Sequence, residues 1–134
     1  MTTKNIHQDV TFKATPKEIY RALMDSQTHS KITDSKAVIG TKVGSFFSVW
    51  GGGVSGITLA LEPNKKIVQA WRTGEWEENH YSVAVFELVK ADVGTKLIFD
   101  HYAVPADDYK TISDNWKACY WTPMKEMFAT NSDK

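Results

Sequence analysis

Between Val54 and Trp76 the chain runs through Val54-Ser55-Gly56-Ile57-Thr58-Leu59-Ala60-Leu61, turns at Glu62-Pro63-Asn64, and continues as Lys66-Ile67-Val68-Gln69-Ala70-Trp71-Arg72. Both stretches alternate with the period of a strand, and the turn joins them into an antiparallel pair. The second ends on two tryptophans, Trp71 and Trp76. An indole carries a large apolar area and a single N–H donor, so two of them at a strand end are costly to leave in water. They line either a core or a cavity, and that choice bears directly on function.

The 134 residues suit one domain with one core, spanning 1–134. A chain of this size buries roughly 65–70% of its unfolded surface and needs no disulfide or metal staple. Five Trp, five Tyr and six Phe exceed what a minimal core requires, which favours a protein that also lines a pocket or an interface. Sixteen basic residues balance sixteen acidic ones, and no run of Lys or Arg makes a basic face, so nucleic acid is not an expected partner. Met1 to Asp9 has no apolar stretch and no segment is long enough for a membrane span, so neither a signal peptide nor a membrane is expected. The single cysteine, Cys119, points to a reducing cytoplasm.

Ile6, Val10 and Phe12 fall at even spacing and predict a first strand, with Gln8 as an irregularity on its inner face. Thr15 then reads as an N-cap, Pro16 fits the first helical turn, and Glu18 completes a capping box. Ile19, Tyr20 and Leu23 form the stripe of this short helix. The polar stretch from Asp25 to Asp34 is expected to hold a second short helix or an irregular connection, anchored by Ile32. Strands follow: Ala37 to Ile39, Gly44 to Trp50, the pair described above, Tyr81 to Val89, and Thr95 to Tyr102. Gly51-Gly52-Gly53 reads as a hairpin connection, because glycine accepts the positive φ of tight turns.

The C-terminal segment returns to helical spacing. Ile112, Trp116, Cys119, Pro123 and Met127 recur at three or four residues, widened by Tyr120, Met124 and Phe128. Pro123 cannot donate to the carbonyl of Cys119, so a bend is expected there. Residues after Ala129 are polar and expected to fray. The order predicts an α+β fold: an antiparallel sheet of six or seven strands, two short helices after the first strand, and one long C-terminal helix across one face. A strongly curved sheet would leave an aromatic-lined cavity beneath that helix.

An ordered set of residues resembles a known family. It begins with Phe12-x-Ala14-x-Pro16-x-Glu18-x-Tyr20-x-Ala22-Leu23 and Gly44-x-Phe46. It continues through Val54-Ser55-Gly56, Leu61-Glu62-Pro63-x-Lys65-x-Ile67-Val68, Trp71-Arg72 and Trp76. It closes with Gly94-Thr95-x-Leu97, Val104-Pro105, and Trp116 ahead of Tyr120. Over roughly Ile6 to Phe128 this is similar to the C-terminal domain of the activator of the heat-shock protein 90 ATPase and its short bacterial relatives. The resemblance implies a START-like (SRPBCC) helix-grip fold, the curved sheet gripping the long helix. It also implies a possible chaperone partner, heat-shock protein 90. Glu77 stands where the family often has proline, and nothing here corresponds to the separate N-terminal domain of the eukaryotic activator.

Candidate chemistry is sparse. Asp100 and His101 are adjacent in a strand and point to opposite faces, so they form no dyad, and a satisfied strand histidine is the simpler reading of His101. Glu75, Glu77, Glu78 and His80 surround a predicted turn without a recognised metal-ligand spacing, and read as a solvated acidic loop. His7 and His29 have no partner in sequence. Cys119 reads as a packed, inert thiol on the helix stripe. There is no Gly-x-Ser-x-Gly elbow, and the glycine triplet lacks the Lys and Ser or Thr of a phosphate loop. Phe47, Trp71, Trp76, Phe99, Trp116 and Tyr120, with His101, are either core or the wall of a cavity for an apolar or aromatic ligand. The expected protein is therefore a non-catalytic co-chaperone-type module with neither cofactor nor metal. The alternatives are a carrier of a small hydrophobic ligand and, more weakly, a cyclase-like enzyme starting from His101. The sequence leaves the oligomeric state open.

Overall fold

The computed structural model describes residues 2–129, and the expectation of a frayed end after Ala129 lies outside them. The first strand, β1 (Thr3–Phe12), leads into α1 (Pro16–Met24) and α2 (Ser26–Thr33). Six strands follow: β2 (Val38–Ile39), β3 (Phe46–Val49), β4 (Val54–Glu62), β5 (Lys66–Thr73), β6 (Ser82–Lys90) and β7 (Thr95–Pro105). The chain ends in α3 (Tyr109–Trp116), a π-helical turn (Lys117–Trp121) and α4 (Thr122–Ala129). All seven strands form one antiparallel sheet in the order β1-β7-β6-β5-β4-β3-β2, the α+β helix-grip arrangement expected. β2 to β7 run as a meander, and β1 closes against β7 along its whole length, which ties the two ends of the chain together.

The capping box forms as read. The Glu18 backbone N–H donates to Thr15 Oγ1 at 3.1 Å, and the Thr15 N–H donates to Glu18 Oε1 at 3.0 Å. The polar segment after it is helical because Asp25 caps it, accepting from the Thr28 N–H at 2.9 Å and from its hydroxyl at 2.7 Å. Those bonds hold the Asp25 carboxyl below the ordinary carboxylate range. Asp34, at φ 53, stops the helix in a left-handed cap.

Two boundaries differ from expectation. β3 ends at Val49, and Trp50 leaves the strand at φ 56, opening a short 3-10 turn through Gly52. β5 ends at Thr73, so Trp71 lies in the strand while Trp76 lies in the loop that follows. A left-handed conformation costs an ordinary L residue about 1–2 kcal/mol, so Trp50 is held there by its surroundings.

The bend expected at Pro123 takes the form of the π turn immediately before it, where the Thr122 N–H reaches back to the Lys117 carbonyl. Proline leaves the Cys119 carbonyl without its usual donor, and the wide turn absorbs that defect. It also moves the buried face. Trp116, Tyr120, Met124 and Phe128 stay buried, Trp121 joins them, and Cys119 is only half-buried. Of the expected stripe, Cys119, Pro123 and Met127 lie half-buried at its edge, and the expectation omitted Trp121.

Gly94, between β6 and β7, sits at φ +84, and a Cβ there would lie 1.9 Å from the Phe12 carbonyl oxygen. Both the backbone conformation and the contact exclude a side chain. Gly94→Ala is expected to lower unfolding stability by about 2–4 kcal/mol in urea titrations. A loss below about 1 kcal/mol would mean that the turn readily finds another geometry.

Candidate functional site

The inward faces of β5, β6 and β7 meet the C-terminal helices across a layer of aromatic rings. Trp116 is at its centre, 4.5 Å from Phe99, 4.7 Å from Tyr120 and 5.8 Å from both Trp71 and Phe86, centroid to centroid. Trp121 stacks on it at 5.7 Å. Rings at these spacings fill the volume that a deep cavity would require.

The polar groups in this layer form two closed relays. Trp116 Nε1–H donates to His101 Nδ1 at 3.0 Å, so the ring proton of neutral His101 is on Nε2. From there it donates to Ser82 Oγ at 2.6 Å, and the Ser82 hydroxyl donates to the Trp71 carbonyl at 2.9 Å. His101 is fully buried, and burial pushes its pKa down to about 3. Its lone pair and its proton are both committed, and Ser82 has spent its proton, so the pair is neither a base nor an activated nucleophile. Asp100 points to the other face, as the strand alternation requires, where its Oδ1 meets His7 Nδ1 at 2.6 Å.

The second relay centres on His29, which the sequence left without a partner. Its Nδ1 lies 3.2 Å from the Leu23 carbonyl, which can only accept, so Nδ1 carries the proton and Nε2 accepts from the Tyr120 hydroxyl at 2.9 Å. Burial lowers the pKa of His29 and pushes the Tyr120 phenol upward. Gln8, the irregularity of β1, accepts from Trp121 Nε1–H at 2.7 Å and donates to the Ser113 carbonyl at 2.9 Å. Among the described residues, only Thr58 Oγ1 is a sealed side-chain polar atom without a partner. Trp121, Ser82 and Trp50 are contributors that the sequence reading did not single out. For Trp121 the missing signal was the phase shift of the π turn; Gln8 had been noticed but not explained.

The seven residues proposed from sequence as a cavity wall fall into separate places. Phe99 and His101 are sealed in the core. Phe47 borders an interior slit of about 10 Å³, roughly the space of one water molecule. Trp76 closes the edge of the layer: it packs 5.5 Å from Trp71, donates from Nε1 to Asp108 Oδ2 at 2.7 Å, and lends its carbonyl to the Arg72 guanidinium at 3.1 Å. Trp71, Trp116 and Tyr120 do line a larger space. With Trp50, Val54 and Ile112 they surround an open apolar cavity of about 270 Å³ at the flank, where the β3–β4 loop meets the start of the π turn. Cys119, packed at the edge of the core and half-buried, also stands in that wall.

In the acidic loop Glu75, Glu77 and Glu78 are exposed, while His80 Nε2 bonds the Ala103 carbonyl at 2.9 Å. Among the described residues, no three His, Cys, Asp or Glu side chains gather where a metal could be held. No helix among them is long and apolar enough to cross a membrane.

Comparison with known proteins adds to this geometry. The profile of the family described as activator of Hsp90 ATPase homolog 1-like protein matches residues 13–129. An uncharacterized protein of Schizosaccharomyces pombe is 30% identical over 128 residues, covering 96% of this chain and 38% of that protein. The human activator of 90 kDa heat shock protein ATPase homolog 1 is 27% identical over 118 residues, 88% of this chain and 35% of its own. The chain thus spans little more than a third of these relatives. The crystal structure of an HSP90 activator from Plasmodium falciparum superposes with a TM-score of 0.89 at 22% identity, over 93% of this chain and 96% of that one. The solution structure of the Aha1 dimer from Colwellia psychrerythraea gives 0.81 at 22% identity, with the same coverage. At these identities the two structures speak for the fold.

Proposed function

This chain belongs to the activator of Hsp90 ATPase homolog 1-like family, and from that membership we propose that it is a cytoplasmic, non-catalytic, one-domain interaction module that acts on the ATPase of heat-shock protein 90. The observation that carries the reading is the closed state of its interior. The two buried histidines have every ring nitrogen engaged, and aromatic rings fill the layer between sheet and helix. With both buried histidines committed, the half-buried Cys119 is the one thiol at the edge of the layer, and the lack, among the described residues, of a free acid or base beside the rings favours a role through the surface.

The test is the ATPase rate of the source cell's heat-shock protein 90, titrated with this protein. The expected result is a saturable rise at micromolar concentration, which would mean that these residues suffice without the rest of the longer relatives. A flat titration to the solubility limit would overturn the reading.

The flank cavity supports a second reading, as a carrier or sensor of a small apolar ligand. Its 270 Å³ lie at the lower edge of ordinary ligand sites, and Trp50, Trp71 and Trp116 stand in its walls. Quenching or enhancement of tryptophan fluorescence by 1-anilinonaphthalene sulfonate measures it directly, and the absence of a saturable signal would remove it.

A further inference from the structure

We propose that Trp50 is a movable wall: swung outward, it joins the flank cavity to a second, solvent-facing one and makes a single groove along the π turn. The second cavity, of about 410 Å³, lies between α2 and the C-terminal helices, with Ile32, Thr33, Pro123 and Glu126 on its sides. The two share Trp50 and Cys119 in their walls. The half-buried Trp50 indole lines both, its ring nearly perpendicular to that of Tyr120 at 5.9 Å between centroids.

Two opposing terms act on this residue. Its backbone is left-handed, a conformation that a bulky side chain disfavours, so the main chain gains by returning to negative φ. The indole gains by staying against Tyr120 and covering apolar wall. Because the two terms oppose each other, the backbone strain lowers the cost of the outward arrangement. Gly51, Gly52 and Gly53 follow at once, and the first two have φ of 65° and 103°. A side chain at Gly51 would meet nothing within 4 Å, so the segment next to Trp50 has room to turn. The main-chain bonds after Trp50, Gly53 N–H to the Trp50 carbonyl, Gly51 N–H to the Lys36 carbonyl and Gly74 N–H to the Gly53 carbonyl, limit the motion to the residue and its side chain.

The joined groove has an apolar floor of tryptophan side chains at one end and a wetter end beside Glu126 and Thr122. It therefore suits an elongated ligand with an apolar body and a polar end, longer than the closed cavity holds. The inference goes beyond the ligand reading, since the wall can move whether or not a ligand follows.

Cys119 is the chain's only cysteine and faces both cavities, so its thiol reports on the wall. The experiment is the rate at which an aromatic disulfide reagent modifies Cys119, in wild type, Trp50→Ala and Trp50→Phe, each verified as folded by circular dichroism. Trp50→Ala is expected to react about tenfold faster than wild type, with Trp50→Phe between them. In wild type the rate is expected to be nearly flat in low urea, because a local swing exposes little surface, whereas modification through global unfolding would climb steeply. Equal rates in the three proteins, or a steep urea dependence in wild type, would overturn the proposal. A flat wild-type series excludes global unfolding, and Trp50→Phe, the milder change, then separates wall motion from direct access through the solvent-facing cavity: a rate equal to wild type overturns the proposal even if Trp50→Ala fails to fold. Adding 1-anilinonaphthalene sulfonate separates the two ideas. Saturable dye binding with Cys119 rates unmoved by Trp50→Ala would sink the wall and keep the ligand reading. Wall motion without dye binding would do the reverse.

Discussion

Trp116→Ala is expected to cost roughly 5 kcal/mol of unfolding stability, the upper end of the range for removing a buried aromatic. The indole is 3% exposed and packs against Phe99, Tyr120, Trp71, Phe86 and Trp121, so truncation leaves a void that rings on several elements would have to collapse to fill. It also leaves His101 Nδ1 buried without its donor, a further penalty of about 1–3 kcal/mol where water cannot reach. Two effects of this size rival the whole stability of an ordinary domain, so the variant is expected to be largely unfolded at 37 °C. Trp116→Phe helps to separate them: it keeps most of the ring volume while removing the N–H, so the missing donor weighs more in its loss. Urea titration of both variants, monitored by circular dichroism, is the measurement. A loss under about 2 kcal/mol for the alanine variant would show that the ring faces a hollow rather than a packed layer.

The second large effect is expected from acid. His101 is neutral and buried in the folded state with its pKa near 3, against an ordinary value of 6.5. Between those two pH values the unfolded chain binds a proton that the folded one refuses, so protons favour unfolding. Stability is therefore complete above about pH 6.5 and is lost as the pH falls toward 3, at up to about 1.4 kcal/mol per pH unit for this residue. His29, whose pKa burial also lowers, adds to the loss in the same direction. The window from pH 6.5 to 5 isolates the histidines, since Asp25 and Asp114, held below their ordinary range, do not titrate there. His101→Asn is expected to be less stable throughout, but with the pH slope reduced by about one proton over that window. An unchanged slope in the variant would mean that His101 takes up its proton without unfolding the protein.

Much of the architecture was legible because it rests on local rules. Thr15-Pro16-x-Glu18 announces a helix start through side chains that bond backbone groups three residues away. Strand alternation from Val54 onward sets which side chains face the helices, and it placed Asp100 and His101 on opposite faces. The errors occurred where a single residue's environment overrode its pattern. Trp50 continues the apolar rhythm of β3 yet leaves the strand for a left-handed turn. Pro123 announces a defect but not the way the helix absorbs it, and with the π turn goes the burial of Trp121.

The sequence by itself determined the order of elements, the antiparallel meander of β2 to β7 and the inward set of aromatic side chains, because each depends on neighbours close in the chain, whereas the β1–β7 pairing spans about a hundred residues. Only the tertiary structure decided what that set encloses. Trp116 meets His101 across 15 positions, His29 meets Tyr120 across 91, and Trp121 meets Gln8 across 113. Those meetings close the polar groups and fill the centre, and leave open space at the flank beside Trp50. A cavity is the volume left over when distant surfaces fail to touch, and no segment's periodicity contains that difference.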